Sequence, residues 1–252
     1  MRRIAGIVGA KSFPPVSCSG VWQMQDQFDY KAARLWFADA SFNSVRLLLP
    51  FDGANGSTTF VDSSLSNRTV SANGTAALST SQSKYGGASL YIDGSSTAFA
   101  QCLSSALDIG SSDFAAECWY YPLDNTGTGG TRTIFHFNNG GPGGLHIHRN
   151  TSQQLVVDNG VTGTTAGTIT MAINQWHHIA VTRSGTTIRG FVNGSQALTH
   201  TAQSYATADR LQIGRYGTGG TTGNMYGYVD DVRVTAGVAR YTSTFTPPGA
   251  FT

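Results

Sequence analysis

Charge is scarce in this sequence. Asp, Glu, Lys and Arg make up 12% of its 252 residues, about half the share of an ordinary soluble domain. Glu117 is the single glutamate, and Lys11, Lys31 and Lys84 are the only lysines. A helical bundle wants such residues on its wet faces, so their shortage argues against one. The net charge is +2 with no dense Lys/Arg run, which excludes the footprint of a nucleic-acid binder. Cysteine is sparse as well. Cys18, Cys102 and Cys118 form neither a disulfide framework nor a zinc-ligand spacing, and read as buried thiols of a protein assembled in a reducing compartment. No apolar run nears the roughly 18 residues of a membrane span, so no membrane insertion is expected. After Arg2-Arg3, the apolar residues 4–10 lead into Lys11 and Pro14-Pro15. That is not a cleavage pattern, and no signal peptide is expected.

Glycine, at 31 residues, and many Ser and Thr fill the gap that charge leaves. That mix suits strands joined by tight turns. Residues 45–51 (VRLLLPF) and 88–92 (ASLYI) read as strands, followed by the turn formers Asp52-Gly53 and Asp93-Gly94. Residues 113–121 alternate, placing Phe114, Ala116, Cys118 and Tyr120 together. Residues 176–183 and 187–192 form a hairpin, and Asn193-Gly194 opens the next turn with the strongest short hairpin signal. About twelve to fourteen short strands at such spacing make a sandwich or barrel. Residues 1–44 differ. Val21, Met24, Phe28, Ala32, Leu35 and Trp36 fall at roughly helical spacing after a candidate N-cap, Ser19. The expected organisation is an arm over 1–44, too small to fold alone, and one domain over 45–252.

Several strings, in order, carry a resemblance: LLLPFDGANGSTTFVDSSLSNRTVSANG, SKYGGASLYIDG, AECWYYP, NQWHHIAVTRSGTTIRGFVNG, LQIGRYG and the closing YGYVDDVRVTAGVARYTSTFTPP. Together they span about residues 46–248 and resemble laminin-G-like domains of the concanavalin A-like superfamily, of the kind found in bacteriophage virion proteins. The stretch SGVWQMQDQF resembles segments that precede such domains in phage tail and fibre proteins. The resemblance implies an all-β, antiparallel jelly-roll sandwich with a short N-terminal helical or extended arm. It implies a virion structural protein (fibre, tail appendage or head decoration) made in the host cytoplasm. Its lectin-like domain would be non-catalytic, with host-surface glycan as the candidate ligand. The arm would join other virion proteins or a homo-oligomer, for which a trimer is the expectation. A secreted or cell-surface adhesion module and a purely architectural protein are the alternatives.

Chemistry-bearing residues are few. Hydrolases of this superfamily use an E-x-D-x-x-E type strand, with two carboxyl groups about 5 Å apart in a retaining enzyme. Here Glu117 is followed at plus two and plus three by Trp119 and Tyr120. Asp26/Asp29 lie in the N-terminal segment, and Asp230-Asp231 point to opposite strand faces. No enzyme is expected. Glu117 reads as a carboxylate hydrogen-bonded to a neighbouring strand, with Trp119 packed under a loop. On the closing strand, Tyr228, Asp230, Val232 and Val234 are expected to share one face, with Asp230 buried and hydrogen-bonded. His146 and His148 share a face at period two, the spacing of a metal pair. No third ligand lies nearby in sequence, so they read as a polar, solvent-facing strand side, and His136 stands alone. No cofactor is required, but the resemblance admits a rim Ca²⁺, for which Asp52, Asp62 and Asp93 are the turn carboxylates. Turn aspartates also cap loops on their own account. The glycine-rich strings 125–132, 138–145 and 217–224 read as rim loops, where a sandwich keeps its recognition. Asp124, Asn125, Arg132, Arg215, Tyr216 and Asn224 are therefore the candidate ligand-binding residues.

Overall fold

In the computed structural model the described residues are 39–109, 112–124, 131–141, 143–160, 165–217 and 223–251. The expected helical or extended arm lies outside them up to residue 38, as do Asn125 and Cys18. Among the described residues fifteen strands follow one another: β1 Val45–Leu49, β2 Val70–Asn73, β3 Ala77–Ser79, β4 Ser89–Asp93, β5 Phe99–Leu103, β6 Phe114–Pro122, β7 Arg132–Asn138, β8 Leu145–Arg149, β9 Gln154–Asp158, β10 Thr165–Thr170, β11 His177–Ser184, β12 Thr187–Val192, β13 Ser195–Thr201, β14 Arg210–Ile213 and β15 Tyr226–Ala236. They form two antiparallel sheets. One runs β13-β12-β11-β6-β15-β4-β3, with β1 also on β15; the other runs β10-β9-β8-β7-β14-β5-β2. The expected all-β antiparallel sandwich is what forms.

Turn chemistry sets the registers. Asn193 and Gly194 sit at φ 52° and 79°, the doubly positive geometry of a type I′ turn, and Val192 pairs with Ser195 across it. Alternation then sorts the side chains. Phe114, Ala116, Cys118 and Tyr120 of β6 enter the core, as do Leu145 and Ile147 of β8 and Leu211 and Ile213 of β14. Each large apolar side chain so buried contributes about 1.5–3 kcal/mol. Cys102 and Cys118 are free thiols in this core, and burial pushes both of their pKa values up.

β15 departs from the expected alternation. The register with β6 shifts between Asp230 and Arg233, and Asp231 takes a left-handed φ of 46°. One extra residue flips the phase of a strand. Val229, Val232 and Val234 therefore all reach the core, and Asp230 does not share their face. It is nonetheless buried, and its carboxylate accepts the N–H groups of Lys84, Tyr85 and Asp231 at 2.8, 3.1 and 3.0 Å.

Residues after β15 return over the outer face of the β6–β15 sheet. Tyr241 and Phe245 stack at 3.6 Å, and the Arg233 guanidinium lies 3.9 Å over Phe251. Beneath them Glu117 is 0% exposed. It accepts from Arg233 Nε at 2.9 Å and from the Tyr241 hydroxyl at 2.7 Å, with His178 Nε2 3.2 Å away. Asp39 joins the group by accepting from both terminal nitrogens of Arg240, at 2.9 and 2.7 Å. Trp119 lies under the 84–85 loop, with Lys84 Nζ 3.9 Å over its ring.

Candidate functional site

The outer face of the second sheet carries a row of polar side chains. Asp158 of β9 is paired with His146 of β8, His146 with His136 of β7, His136 with Gln212 of β14, and Gln212 with Gln101 of β5. Five strands thus place five polar residues directly opposite one another. The sequence produces this row because each of these strands puts apolar residues inward and a polar one at the alternate position, as in Leu145-His146-Ile147-His148. His136, which the sequence left standing alone, belongs to this row. His146 and His148 are 6% and 4% exposed rather than solvent-facing.

Buried polar groups must be hydrogen-bonded, and most of these are. Asn138 Nδ2 donates to Gln212 Oε1 at 3.1 Å, and Gln212 Nε2 to Gln101 Oε1 at 3.2 Å. The Gly217 amide donates to His136 Nδ1 at 2.9 Å, so that nitrogen carries the lone pair and the proton sits on Nε2. Thr133 Oγ1 is 2.9 Å from His146 Nε2. Asp158 lies between two imidazoles, with Oδ1 3.3 Å from His146 Nδ1 and Oδ2 3.0 Å from His148 Nε2. The two rings stack at 4.3 Å and 19°. His148 Nδ1 is buried without a hydrogen-bond partner. Burial pushes His136 down to about 3, helped by the neighbouring His146. Burial likewise pushes His146 down to about 4, against the opposing pull of Asp158. Burial alone would raise Asp158, but hydrogen bonds from His146 and His148 outweigh it and hold the carboxyl well below its usual range. At neutral pH His136 and His146 are therefore neutral beside an ionised Asp158.

Tyr216, from the loop after β14, covers part of the row. Its ring stacks on His136 at 4.4 Å and 17° and tilts against His146 at 4.5 Å. Its hydroxyl reaches Gly160, where a Cβ would stand 2.0 Å from that oxygen; glycine is needed there for space as well as for its φ of 69°. Beside the ring opens a cavity of about 450 Å³, lined among others by Thr131, His146, His148, Asn150, Asp158 and Tyr216. Asp158 is the only carboxylate among the described residues that line it, so two-acid glycoside hydrolysis has no pair of groups there.

Among the described residues, Tyr216 is the one expected ligand-binding residue that lines this cavity. Arg132 and Asp124 are tied to each other by a bidentate ion pair at 3.0 and 2.5 Å, and Arg149 Nη1 donates to the Asp124 carbonyl. Arg215 lies 4.7 Å over the Phe99 ring. Asn224 is 4% exposed, so it is not a rim donor facing solvent; the Gly223 carbonyl accepts the Thr133 amide of β7 and the Met225 amide donates to the carbonyl of Gly214, just after β14. The three calcium candidates are not brought into one ligand group among the described residues. Asp62 accepts the Leu48, Ser64 and Arg68 amides. Asp93 accepts from the Thr75 hydroxyl and the Ser95 amide, and the Asp52 carboxylate packs against Gly86. A second aromatic surface lies on the other sheet, where Tyr91, Tyr228 and Tyr121 are paired across β4, β15 and β6. Trp176 follows 5.3 Å from Tyr121.

Residues 96–239 match a laminin-G-type family model described as the concanavalin A-like lectin/glucanases superfamily. No curated protein matches the sequence. Among solved structures, domain 4 of a GH43 extracellular arabinanase from Geobacillus stearothermophilus, in complex with arabinotriose, is 18% identical with a TM-score of 0.56, over 78% of this chain and 94% of that one. A botulinum neurotoxin type C structure, whose cell entry is described as dependent on two ganglioside molecules, is 15% identical with a TM-score of 0.56, over 78% of this chain and 48% of that one. A Trypanosoma rangeli sialidase complex is 14% identical with a TM-score of 0.57, over 83% of this chain and 37% of that one. This chain spans about half the length of the toxin chain and little more than a third of the sialidase. At these identities the likeness is one of fold.

Proposed function

We propose a function for a chain that belongs to the concanavalin A-like lectin/glucanases superfamily: it binds glycan, without cleaving it, in the cavity beside Tyr216. The observation that carries this reading is the composition of that cavity. A sugar offers a ring of hydroxyls around patches of C–H. The cavity answers with an amphipathic tyrosine, two imidazoles, the Thr131 hydroxyl, the Asn150 amide and one carboxylate; His146, His148 and Asp158 stand on β8 and β9, and the others at strand ends or in the loop after β14. Mixed linings with a few convergent polar groups are the usual form of a small-molecule site. The arabinotriose complex and the ganglioside-dependent toxin support a glycan as the ligand class.

The wider setting we propose is a bacteriophage virion, where the domain is displayed as part of a fibre, tail appendage or head decoration and meets host-surface glycan. The arm before the sandwich would attach it or build a homo-oligomer. The order of the sequence strings and the SGVW segment support this setting.

A glycan array probed with the full-length chain and with Tyr216→Ala tests the site. The expected result is binding by the wild-type chain that falls at least tenfold in the variant, with the variant still melting cooperatively and folded at the assay temperature. Loss in Tyr121→Ala instead would move the site to the aromatic row of the other sheet. An array with no binding to any glycan would favour the purely architectural reading.

A further inference from the structure

We propose that His146, His148 and Asp158 form a binding site for one divalent transition-metal ion of the zinc class. The ligand atoms of the three residues all lie within 4.8 Å of one another. Around a tetrahedral zinc with bonds of about 2.0–2.1 Å, ligand atoms stand roughly 3.4 Å apart. The observed separations, 3.3 Å from His146 Nδ1 to Asp158 Oδ1 and 3.0 Å from His148 Nε2 to Asp158 Oδ2, need little adjustment to admit an ion between them. Strand geometry fixes the three groups. His146 and Asp158 are directly paired on β8 and β9, and His148 follows at period two on the same face. The two imidazoles stack at 4.3 Å and 19°, so coordination of one ion by both requires one ring to turn its nitrogen toward the other's.

Support from outside the ligand set is in place on His146. Metal-bound histidine normally uses its other ring nitrogen to hold an oxygen partner. His146 Nε2 has one in Thr133 Oγ1 at 2.9 Å, leaving Nδ1 to face Asp158. All three residues line the cavity, so a water can complete the coordination from that side. Two imidazoles and one carboxylate favour zinc, cobalt, nickel or copper over calcium and magnesium, which prefer six or more oxygens. This site was invisible to ligand spacing within one segment, because its third member comes from the next strand. The proposal shares its cavity with the glycan reading but does not depend on it, and its test needs no sugar.

The experiment is equilibrium dialysis of the metal-free, full-length chain against Zn²⁺, with elemental analysis, and melting curves in Zn²⁺, Ca²⁺ and Mg²⁺. One zinc per chain is expected. Zinc at a hundredfold over its Kd should raise the melting temperature by roughly 5–10 °C, while calcium and magnesium leave it in place. His148→Gln and Asp158→Asn should each weaken zinc binding at least about tenfold; His200→Ala, on β13, should not. If either ligand variant fails to fold, Co²⁺ added to the wild-type chain serves instead, and the visible absorption of a tetrahedral cobalt site is the expected signature. Sub-stoichiometric zinc, zinc retained undiminished in both ligand variants, an equal response to calcium, or octahedral cobalt spectra would each overturn the assignment.

Discussion

Replacing Glu117 by Gln should cost the fold about 3 kcal/mol. The carboxylate is fully buried, and it balances the Arg233 guanidinium, whose side chain is 10% exposed. Removing one member of a buried pair costs about 3–5 kcal/mol, because the partner stays buried without its countercharge. The lower end applies here for two reasons. Gln keeps an oxygen for Tyr241 to donate to, and Arg233 retains Asp39 at 3.3 Å. For a domain of 150–250 residues, about 3 kcal/mol corresponds to a fall in melting temperature of roughly 6–12 °C. Urea denaturation measures the loss directly, with an unchanged slope showing that the unfolded state is the same. Arg233→Met tested alone and with Glu117→Gln closes a cycle, in which the double variant should lose about 2 kcal/mol less than the sum of the singles. The pH dependence has a definite sign. Burial alone would raise the Glu117 pKa, but Arg233, His178 and Tyr241 outweigh it and lower it. The carboxylate therefore contributes stability that is present above the ordinary glutamate pKa of about 4.3 and is lost as pH falls below it through the folded value. The gap between wild type and Glu117→Gln should narrow on acidification. A loss under about 1 kcal/mol, strictly additive singles, or a gap that widens in acid would refute this account.

Asp230→Ala should cost about 1–3 kcal/mol by leaving the Lys84 and Tyr85 amides unpaired, read by urea titration. Burial pushes both Asp230 and Asp231 up to about 7, so the folded state holds protons that the unfolded chain releases. Their contribution to stability should fall as pH rises from about 4 through 7, and melting curves across that window should be flatter in Asp230→Ala. A chain beginning at Asp39 should melt as the full-length protein does, whereas one beginning at Val45 should melt lower, having lost the Asp39 bond to Arg240 and the buried Phe42. Neither wild type nor Glu117→Gln should release reducing sugar from β-glucans; release by the wild type alone would restore a catalytic role to Glu117.

The architecture was legible because its signals are local. Asn193-Gly194 has side-chain chemistry that tolerates positive φ, and it turned where such a pair turns. Alternation in residues 113–121 reported which side chains of β6 enter the core before any partner strand was known, although the other face of the strand is buried as well. The failure on β15 is equally local in origin. Alternation assumes that one residue advances one step, and the bulge at Asp230-Asp231 breaks that assumption. The doublet itself was the available signal, since aspartate is disfavoured in a regular strand and Asp tolerates a left-handed backbone better than a branched residue does. Read as a bulge, it would have placed Val229 beside Val232 and Val234.

The polar row lies on a different link of the chain from sequence to site. Its members are ordinary one at a time, and register alone makes them a group. Gln101 and Gln212 are hydrogen-bonded across 111 residues of sequence, and no spacing rule reaches that far. The His146–Asp158 pairing was nearer to hand. A hairpin maps each residue onto its mirror image about the turn, and β8 and β9 fold about Ser152, so that Arg149 meets Leu155 and His146 meets Asp158. The turn is closed at Asn150, whose carbonyl accepts the Gln153 amide and whose side chain accepts the Gln154 amide; asparagine is a habitual turn residue. Once Asn150 is taken as the turn former, the carboxylate opposite the first histidine follows by counting. The solvent-facing reading of His146 and His148 then fails on physical grounds. An ionised carboxylate brought between two imidazoles under an aromatic lid must be hydrogen-bonded or ligated there, and a strand face that meets that demand is a site rather than a surface.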